Sequence, residues 1–177
     1  MNRREYFAGQ DFPPTIGKKV LEDKTVIPFW YKLPDQLMKH QLKSMVTTEQ
    51  LEGLQRVDFT IGGDRGGSKF WMALKCLLRF SDRPTISKVF QIASVSHSKD
   101  DISLLQPMVI DPIGTGARLI VEGGHFSVEK DTNGTLDLSF LPRTGNNIIC
   151  NVTSRVLVVG DLKFFAQMLG RENMSGS

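Results

Sequence analysis

Two aspartates could act together, because each follows a strand-like run and one or two glycines. Asp64 lies in VDFTIGGDRGG, and Asp161 follows the single glycine of RVLVVGDLKFF. Two carboxylates placed close together repel each other, and the pKa of one rises unless a cation lies between them. Mg²⁺ takes oxygen ligands and keeps water for phosphate chemistry, and Mn²⁺ is the alternative. The two aspartates are therefore candidate metal ligands and candidate catalytic residues.

Each aspartate also has an ordinary structural role open to it. Asp161 precedes a helical pattern and could cap that helix, which would stabilise it by about 0.5–2 kcal/mol. Asp64 could be only a turn residue, since aspartate is common in turns and the adjacent glycines supply positive φ angles. The metal hypothesis requires the two strands to be parallel neighbours, because the carboxylates then face one space at the ends of the strands.

Alternation of apolar and polar residues predicts the strands that must position this pair. It predicts strands over 57–63 and 88–96, with GGDRGG as a tight turn. The segment 69–80 is ambiguous between helix and strand, and we assign it as the middle strand of a meander. RVLVV predicts a strand buried on both faces of a sheet. The residues after it that share one helical face predict a helix: Leu162, Phe165, Ala166 and Leu169.

The segment between the meander and the last strand is predicted to begin as a helix and to continue as inserted β structure. DDISLLQPMVIDP has a helical pattern that Pro107 limits or kinks. GTG at 114–116 is expected to be a turn. Residues 117–141 hold the runs RLIVEGG, HFSVEK and LDLSFL, which predict an inserted β segment with a hairpin turn at DTNG.

Residues 1–54 are predicted to be a lead-in to a domain that covers 55–177. The lead-in is expected to be irregular up to about residue 33, with a helix from Pro34 and a short second helix that Thr48 could cap. The aromatic cluster FWY at 29–31 is expected to pack the lead-in onto the domain. A platform for stacking bases is the alternative use.

The predicted order of elements is similar to that of the ribonuclease H-like fold. In the DDE transposase and integrase branch of that fold, one aspartate lies on the first strand and another just after the fourth. VDFTIGGDRGG followed by VLVVGDLKFFAQMLGRENMSGS also resembles uncharacterised transposon-derived proteins of this class, over about residues 55–177. The resemblance implies an α/β fold with a ribonuclease H-like mixed sheet, incomplete at its C-terminus. It also implies DNA as the partner and Asp64 and Asp161 as the metal-binding pair.

The branch needs a third acid on a later helix, and no residue is marked for that role. Glu172 is too near Asp161, and Asp100 or Asp101 is an alternative position on the helix after the third strand. We therefore expect a remnant or fragment of a metal-dependent DNA phosphodiester transferase that is inactive alone.

Cationic residues near the two aspartates are expected to contact the phosphates of the nucleic acid. The candidates are Arg65, Lys69 and Lys163, and Lys75 and Arg79 could join them from one face of the hairpin. A solvated charged face is the plainer interpretation of the same residues. The net charge of +3 permits contact with nucleic acid without requiring it.

Two other functions stay open at this point. GGDRGGSK approaches a P-loop but has Ser68 before Lys69, the reverse of the required order, and a P-loop would need a helix to follow. The other alternative is a folded interaction module without chemistry.

The composition sets broad limits on the class of protein. The three histidines show no metal spacing, and Cys76 and Cys150 are expected to be buried thiols rather than a disulfide framework. No run reaches the length of a membrane span, and the N-terminus lacks the apolar region of a signal peptide. We expect an intracellular protein, nuclear or cytoplasmic, without a membrane partner.

Overall fold

The computed structural model describes residues 11–66, 68–97 and 102–160, with the backbone alone at 64–66 and 102. Eight strands form one mixed sheet in the order β1-β2-β5-β4-β3-β8-β6-β7. The strands are β1 (Thr15–Val20), β2 (Val26–Tyr31), β3 (Leu54–Gly66), β4 (Lys69–Phe80), β5 (Ile86–Val95), β6 (His125–Lys130), β7 (Leu136–Ser139) and β8 (Ile148–Val159). The predicted α/β class is confirmed by this sheet and the helices that accompany it.

The centre of the sheet is the predicted meander with a parallel fourth strand beside it. Strands β3, β4 and β5 pair antiparallel in succession, and β8 pairs parallel with β3. The assignment of 69–80 as a strand is confirmed. In β4 the buried residues alternate with partly or fully exposed ones, so packing on one face decides between strand and helix.

The first helix begins where the sequence predicts it. Helix α1 (Pro34–Met45) has proline at its first position, where the missing N–H costs no hydrogen bond. Helix α2 (Thr48–Glu52) is capped by Thr47 rather than Thr48. The Thr47 hydroxyl accepts from the Gln50 N–H, and the Gln50 side chain accepts from the Thr47 N–H.

The irregular lead-in predicted before residue 33 is wrong for the two segments that form β1 and β2. These strands pair with each other, and β2 also pairs with β5, so they extend the edge of the same sheet. The predicted division of the chain at residue 54 stays a prediction.

The helical segment after β5 is longer than predicted. It consists of α3 (Ile102–Leu105), a π-helical turn (Gln106–Ile110) and α4 (Asp111–Gly123). Pro107 does not end it; the helical segment continues through the π-helical turn that contains this proline. RLIVEGG is therefore mostly helix and not a strand, and the predicted β insertion begins only at His125.

Two glycines of this segment have different structural roles. GTG lies inside α4 and is not a turn, and a Cβ at Gly116 would come 2.8 Å from both Oδ1 of Asp35 and Cδ of Pro34. Gly116 therefore lets α4 approach α1. At the end of α4, Gly124 has φ of +60°, the left-handed conformation in which glycine commonly ends helices.

The hairpin β6–β7 confirms the later part of the predicted β insertion. Its turn is DTNG, where the Asp131 carboxylate accepts from the N–H groups of Asn133 and Thr135. Gly134 has φ of +79°, a conformation that glycine adopts without a steric penalty.

One face of the sheet holds the hydrophobic core, and we call it the core face. In the central strands its residues include Phe59, Ile61, Leu74 and Val158, all 7% exposed or less. The opposite side of β2, β3, β4, β5 and β8 is called the open face. The prediction that RVLVV is buried on both faces is wrong, because Leu157 and Val159 on the open face are 59% and 44% exposed. No helix among the described residues is long and apolar enough to cross a membrane.

Candidate functional site

The two strands that lead to Asp64 and Asp161 are parallel neighbours. The register of β3 and β8 runs from Arg56 opposite Thr153 to Gly62 opposite Val159. Asp64 lies two residues after Gly62, and Asp161 follows Val159 by the same number of residues in the sequence. The adjacency that the metal hypothesis requires is confirmed for the strands, whereas Asp161 lies outside the described residues.

Asp64 and Arg65 belong to a strand rather than to the turn that GGDRGG predicts. The backbone of β3 continues through Gly66, with Asp64 opposite Trp71 and Arg65 opposite Phe70 in β4. Glycine lacks a Cβ and is common in turns, but the ladder with β4 continues across GGDRG and keeps this segment extended. Lys69 is exposed at the first position of β4.

Several other candidate residues fall outside the part of the chain that the structure describes. They are Lys163, Glu172, Asp100 and Asp101. The predicted helix after β8 lies outside it as well.

A charged cluster on the open face was not predicted from the sequence. The Asp58 carboxylate accepts hydrogen bonds from guanidinium groups on β3, β4 and β8. Nε of Arg79 lies 2.5 Å from Oδ2, Nη2 of Arg56 lies 3.2 Å from Oδ2, and Nε of Arg155 lies 3.2 Å from Oδ1. We call these four residues the Asp58 cluster.

The cluster surrounds the carboxylate and leaves the arginines accessible. The Asp58 side chain is 14% exposed, whereas those of Arg56, Arg79 and Arg155 are 38%, 42% and 65% exposed. Burial raises the pKa of Asp58, but the hydrogen bonds from the three arginines outweigh burial and lower that pKa below its ordinary value. The carboxylate is therefore ionised at neutral pH and suits holding guanidinium groups better than transferring protons.

Alternation supplied part of the signal for this cluster. Arg56 and Asp58 are two residues apart in one strand, so they share a face, and Lys75 and Arg79 share a face of the next strand. Arg155 is 97 residues from Asp58 in the sequence, and only the pairing of β3 with β8 brings it to the carboxylate.

Lys75 and Arg79 lie on the open face together, which places both on one face of the hairpin as the phosphate-contact hypothesis requires. Lys75 is exposed and is opposite Thr60 of β3, and Arg79 is opposite Arg56. Lys69 also lies on this face by alternation along β4. The structure therefore aligns three cations along one strand.

The cysteines are buried thiols, as expected. Cys76 is 0% exposed and Cys150 is 7% exposed. Burial raises the pKa of both thiols, that of Cys150 to about 11, so both are protonated at neutral pH. Neither is therefore a candidate nucleophile.

Two of the three histidines, His40 and His125, have different hydrogen-bond neighbours. Nε2 of His40 lies 3.2 Å from Oδ2 of Asp11, and Nδ1 of His125 lies 3.2 Å from the carbonyl oxygen of Gly123. Among the described residues no three or more of histidine, cysteine, aspartate and glutamate are grouped as metal ligands would be.

The segment after GGDRGG excludes the P-loop arrangement there. A P-loop requires a helix directly after the glycine loop, and residues 69–80 form the strand β4.

Comparison with known proteins gives no relative: no family model, curated protein or solved structure matches the chain.

Proposed function

We propose that the chain is a remnant or fragment of a metal-dependent DNA phosphodiester transferase of ribonuclease H-like type, inactive alone, that retains two of the metal ligands. In this proposal Asp64 and Asp161 bind Mg²⁺ or Mn²⁺ between the ends of β3 and β8. The observation that carries the proposal is the parallel pairing of these two strands with Gly62 opposite Val159.

The order of elements supports the proposal independently of the aspartates. Three antiparallel strands are followed by a helical segment, a β hairpin and a strand that lies beside the first and parallel to it. This is the succession that the resemblance implies, with the hairpin as an insertion before the fourth strand. In parallel strands, functional residues concentrate at the carboxyl ends.

The chemistry needs the metal ions to lie beside bound DNA. Divalent ions at such a site activate the attacking oxygen and stabilise the leaving oxygen of the phosphodiester. In the proposal Arg65, Lys69 and Lys163 bind the flanking phosphates, because all three lie within five residues of an aspartate in the sequence.

Metal binding tests the aspartate pair without requiring turnover. Mn²⁺ and Mg²⁺ would be titrated into the chain by calorimetry, with the wild type compared with Asp64→Asn and Asp161→Asn. We expect one class of site in the wild type and its loss in each variant, since each removes one charged ligand. Urea unfolding of each variant would show whether the fold is retained.

Asp82→Asn is the matched control, because it removes the same charge from an exposed side chain in the turn between β4 and β5. That turn follows the last residue of β4, whereas Asp64 pairs with Trp71 near the first residue of β4, so the control lies at the far end of the strand. Absence of binding in the wild type would contradict the proposal, as would wild-type affinity in either folded site variant.

A second candidate function is a binding module without chemistry, and the Asp58 cluster favours it. An arginine-rich face that is ordered by one internal carboxylate can bind an anionic partner whether or not a metal site exists. Nucleic-acid binding by a chain that binds no divalent ion would select this function.

A further inference from the structure

Two tryptophans lie in one row across the open face. Trp30 of β2 is opposite Ser94 of β5, and Ser94 is opposite Trp71 of β4. Residues opposite each other in paired strands point to the same face, so both indoles share this face with the small Ser94 between them. Both tryptophans are half-buried, and each therefore keeps part of its surface in solvent.

The neighbours of Trp30 show that it is not a core residue. Phe29 and Tyr31 pack against the hydrophobic core, and Ile27 is 1% exposed on the same side. The aromatic cluster FWY is therefore divided between two faces: the flanking residues serve the core, as the sequence predicts, and Trp30 does not. The ammonium of Lys32 lies 5.6 Å from the centroid of the Trp30 ring.

The spacing of the row suits a flat ring between the tryptophans. Paired strands lie about 4.7–4.9 Å apart, so the backbones of Trp30 and Trp71 are separated by about 10 Å. Stacked aromatic rings have centroids about 4.5–7 Å apart. A ring placed over Ser94 would therefore be within stacking range of either indole.

The same face carries a strong excess of positive charge. Among the described side chains of β3, β4, β5 and β8, the open face has one carboxylate, that of Asp58. Asp64, whose side chain lies outside the described ones, is opposite Trp71 in the register of β3 and β4. The cations on the open face are Arg56, Lys69, Lys75, Arg79 and Arg155. This excess favours an anionic partner over a neutral or cationic one.

The Asp58 cluster leaves donors for such a partner. Arg79 and Arg155 each give Nε to Asp58, so the N–H groups of their terminal nitrogens are not used by this carboxylate. The side chains are 42% and 65% exposed. Guanidinium groups whose Nε is bound to the Asp58 carboxylate can donate pairs of hydrogen bonds to phosphate at little cost in side-chain entropy.

We propose that the open face binds a single-stranded polynucleotide, with bases stacked on Trp71 and Trp30 and phosphates bound by Arg79, Arg155 and Lys75. Single strands bind to surfaces that combine aromatic side chains with a row of cations, because every base can stack on a ring and every phosphate carries a negative charge. A duplex keeps its bases paired and stacked, so it would use only the cations. The site does not depend on a metal at Asp64 and Asp161.

Fluorescence anisotropy of dye-labelled oligo(dT) and oligo(U), in buffer with EDTA, tests the proposal separately from metal binding. We expect the folded wild type to bind at low salt and the intrinsic tryptophan fluorescence to be quenched. Trp71→Leu is expected to weaken binding by about 5-fold or more, since a stacked base contributes about 1–3 kcal/mol. Trp71→Phe keeps an aromatic face and is expected to retain most of the affinity.

The phosphate contacts are tested by the dependence of affinity on salt. Arg79→Ala with Arg155→Ala is expected to weaken binding and to lower the slope of log K against log salt by about one per arginine. The control is Lys39→Ala with Lys43→Ala, which removes the same charge from exposed positions of α1. Thermal unfolding of every variant would identify any that fail to fold.

Tighter binding of oligo(dT) would assign DNA as the partner, and tighter binding of oligo(U) would assign RNA; either supports the proposal. Polyglutamate is the competitor, because it carries repeated anions without bases. If it displaces the oligonucleotide equally well per charge, the site is for an acidic protein segment and the proposal is overturned. Absence of binding by the folded wild type overturns it too, as does unchanged affinity in either folded Trp71→Leu or the folded double-arginine variant.

Discussion

The two faces of β4 differ in burial and in charge, although they alternate along one strand of twelve residues. On the core face Phe70, Met72 and Leu74 are 7% exposed or less. On the open face Lys69 and Lys75 are exposed, and Trp71 is half-buried. Those core-face side chains are buried, whereas the cations and the indole of the open face keep part of their surface in solvent.

Adjacent residues of β3 show the same contrast at the centre of the sheet. Phe59 is 1% exposed, and its ring lies 6.2 Å from that of Phe140 in an edge-to-face arrangement. Asp58 points the other way, and within the described part of the chain its carboxylate accepts hydrogen bonds from three arginines. Buried apolar packing therefore lies mainly on the core face, whereas the charged side chains and the two indoles that we propose as a binding surface lie on the open face.

The largest effect is expected for a substitution in the core face, measured as the free energy of unfolding. Phe59→Ala is expected to lower the free energy of unfolding by about 3–5 kcal/mol, because it removes a buried ring and leaves a cavity. Leu157→Ala on the open face is expected to change it by about 0.5 kcal/mol or less, since that side chain is 59% exposed. Urea unfolding measures both free energies. Losses of equal size would show that the exposed side chain contributes as much to stability as the buried ring.

A smaller effect tests how tightly the helical layer covers the core face. A Cβ at Gly123 would lie 1.9 Å from the carbonyl oxygen of Phe140, a backbone atom that has little freedom to move. Gly123→Ala is therefore expected to lower the free energy of unfolding by about 1–3 kcal/mol.

Gly62→Ala is the matched control for this glycine. Its Cβ would meet Cγ2 of Val159 at 2.6 Å, and that side chain is 44% exposed and can rotate away. Thermal unfolding of the two variants should show the greater loss for Gly123→Ala, and the reverse order would contradict the packing described for α4.

The smallest effect concerns the charges of the open face and depends on pH. The arginines lower the pKa of Asp58 in the folded state, so the ionised carboxylate stabilises the fold above the unfolded pKa, near 3.8. This contribution is lost as the pH falls through the lower, folded-state pKa. Asp58→Asn is expected to cost about 1 kcal/mol or less at neutral pH, because partly exposed ion pairs are screened by water.

Urea unfolding of the wild type and Asp58→Asn across neutral and acid pH checks this expectation. The difference between the two proteins should shrink below pH 3.8 and should also be smaller at high salt. A difference in the free energy of unfolding that is independent of pH would show that the charge of Asp58 contributes nothing to stability.

Local patterns in the sequence predicted several elements correctly. Alternation predicted the strands of the meander, Pro34 predicted the start of α1, and DTNG predicted the turn of the β6–β7 hairpin. These predictions hold because side-chain period and turn chemistry are local properties. Local patterns failed at 117–123, where a short apolar run fits both strand and helix, and the burial of Ala117 and Ile120 against the sheet decides for helix.

Alternation along each strand, which can be read from the sequence, places Lys75 on one face with Arg79 and separates Asp58 from Phe59. The identity of the neighbouring strands and their register depend on the folded sheet. The folded sheet brings Arg155 to Asp58 across 97 residues and aligns Trp30 with Trp71 through Ser94. The physical reason is that alternation repeats within a few residues, whereas strand pairing is fixed by the burial of distant segments in a common core.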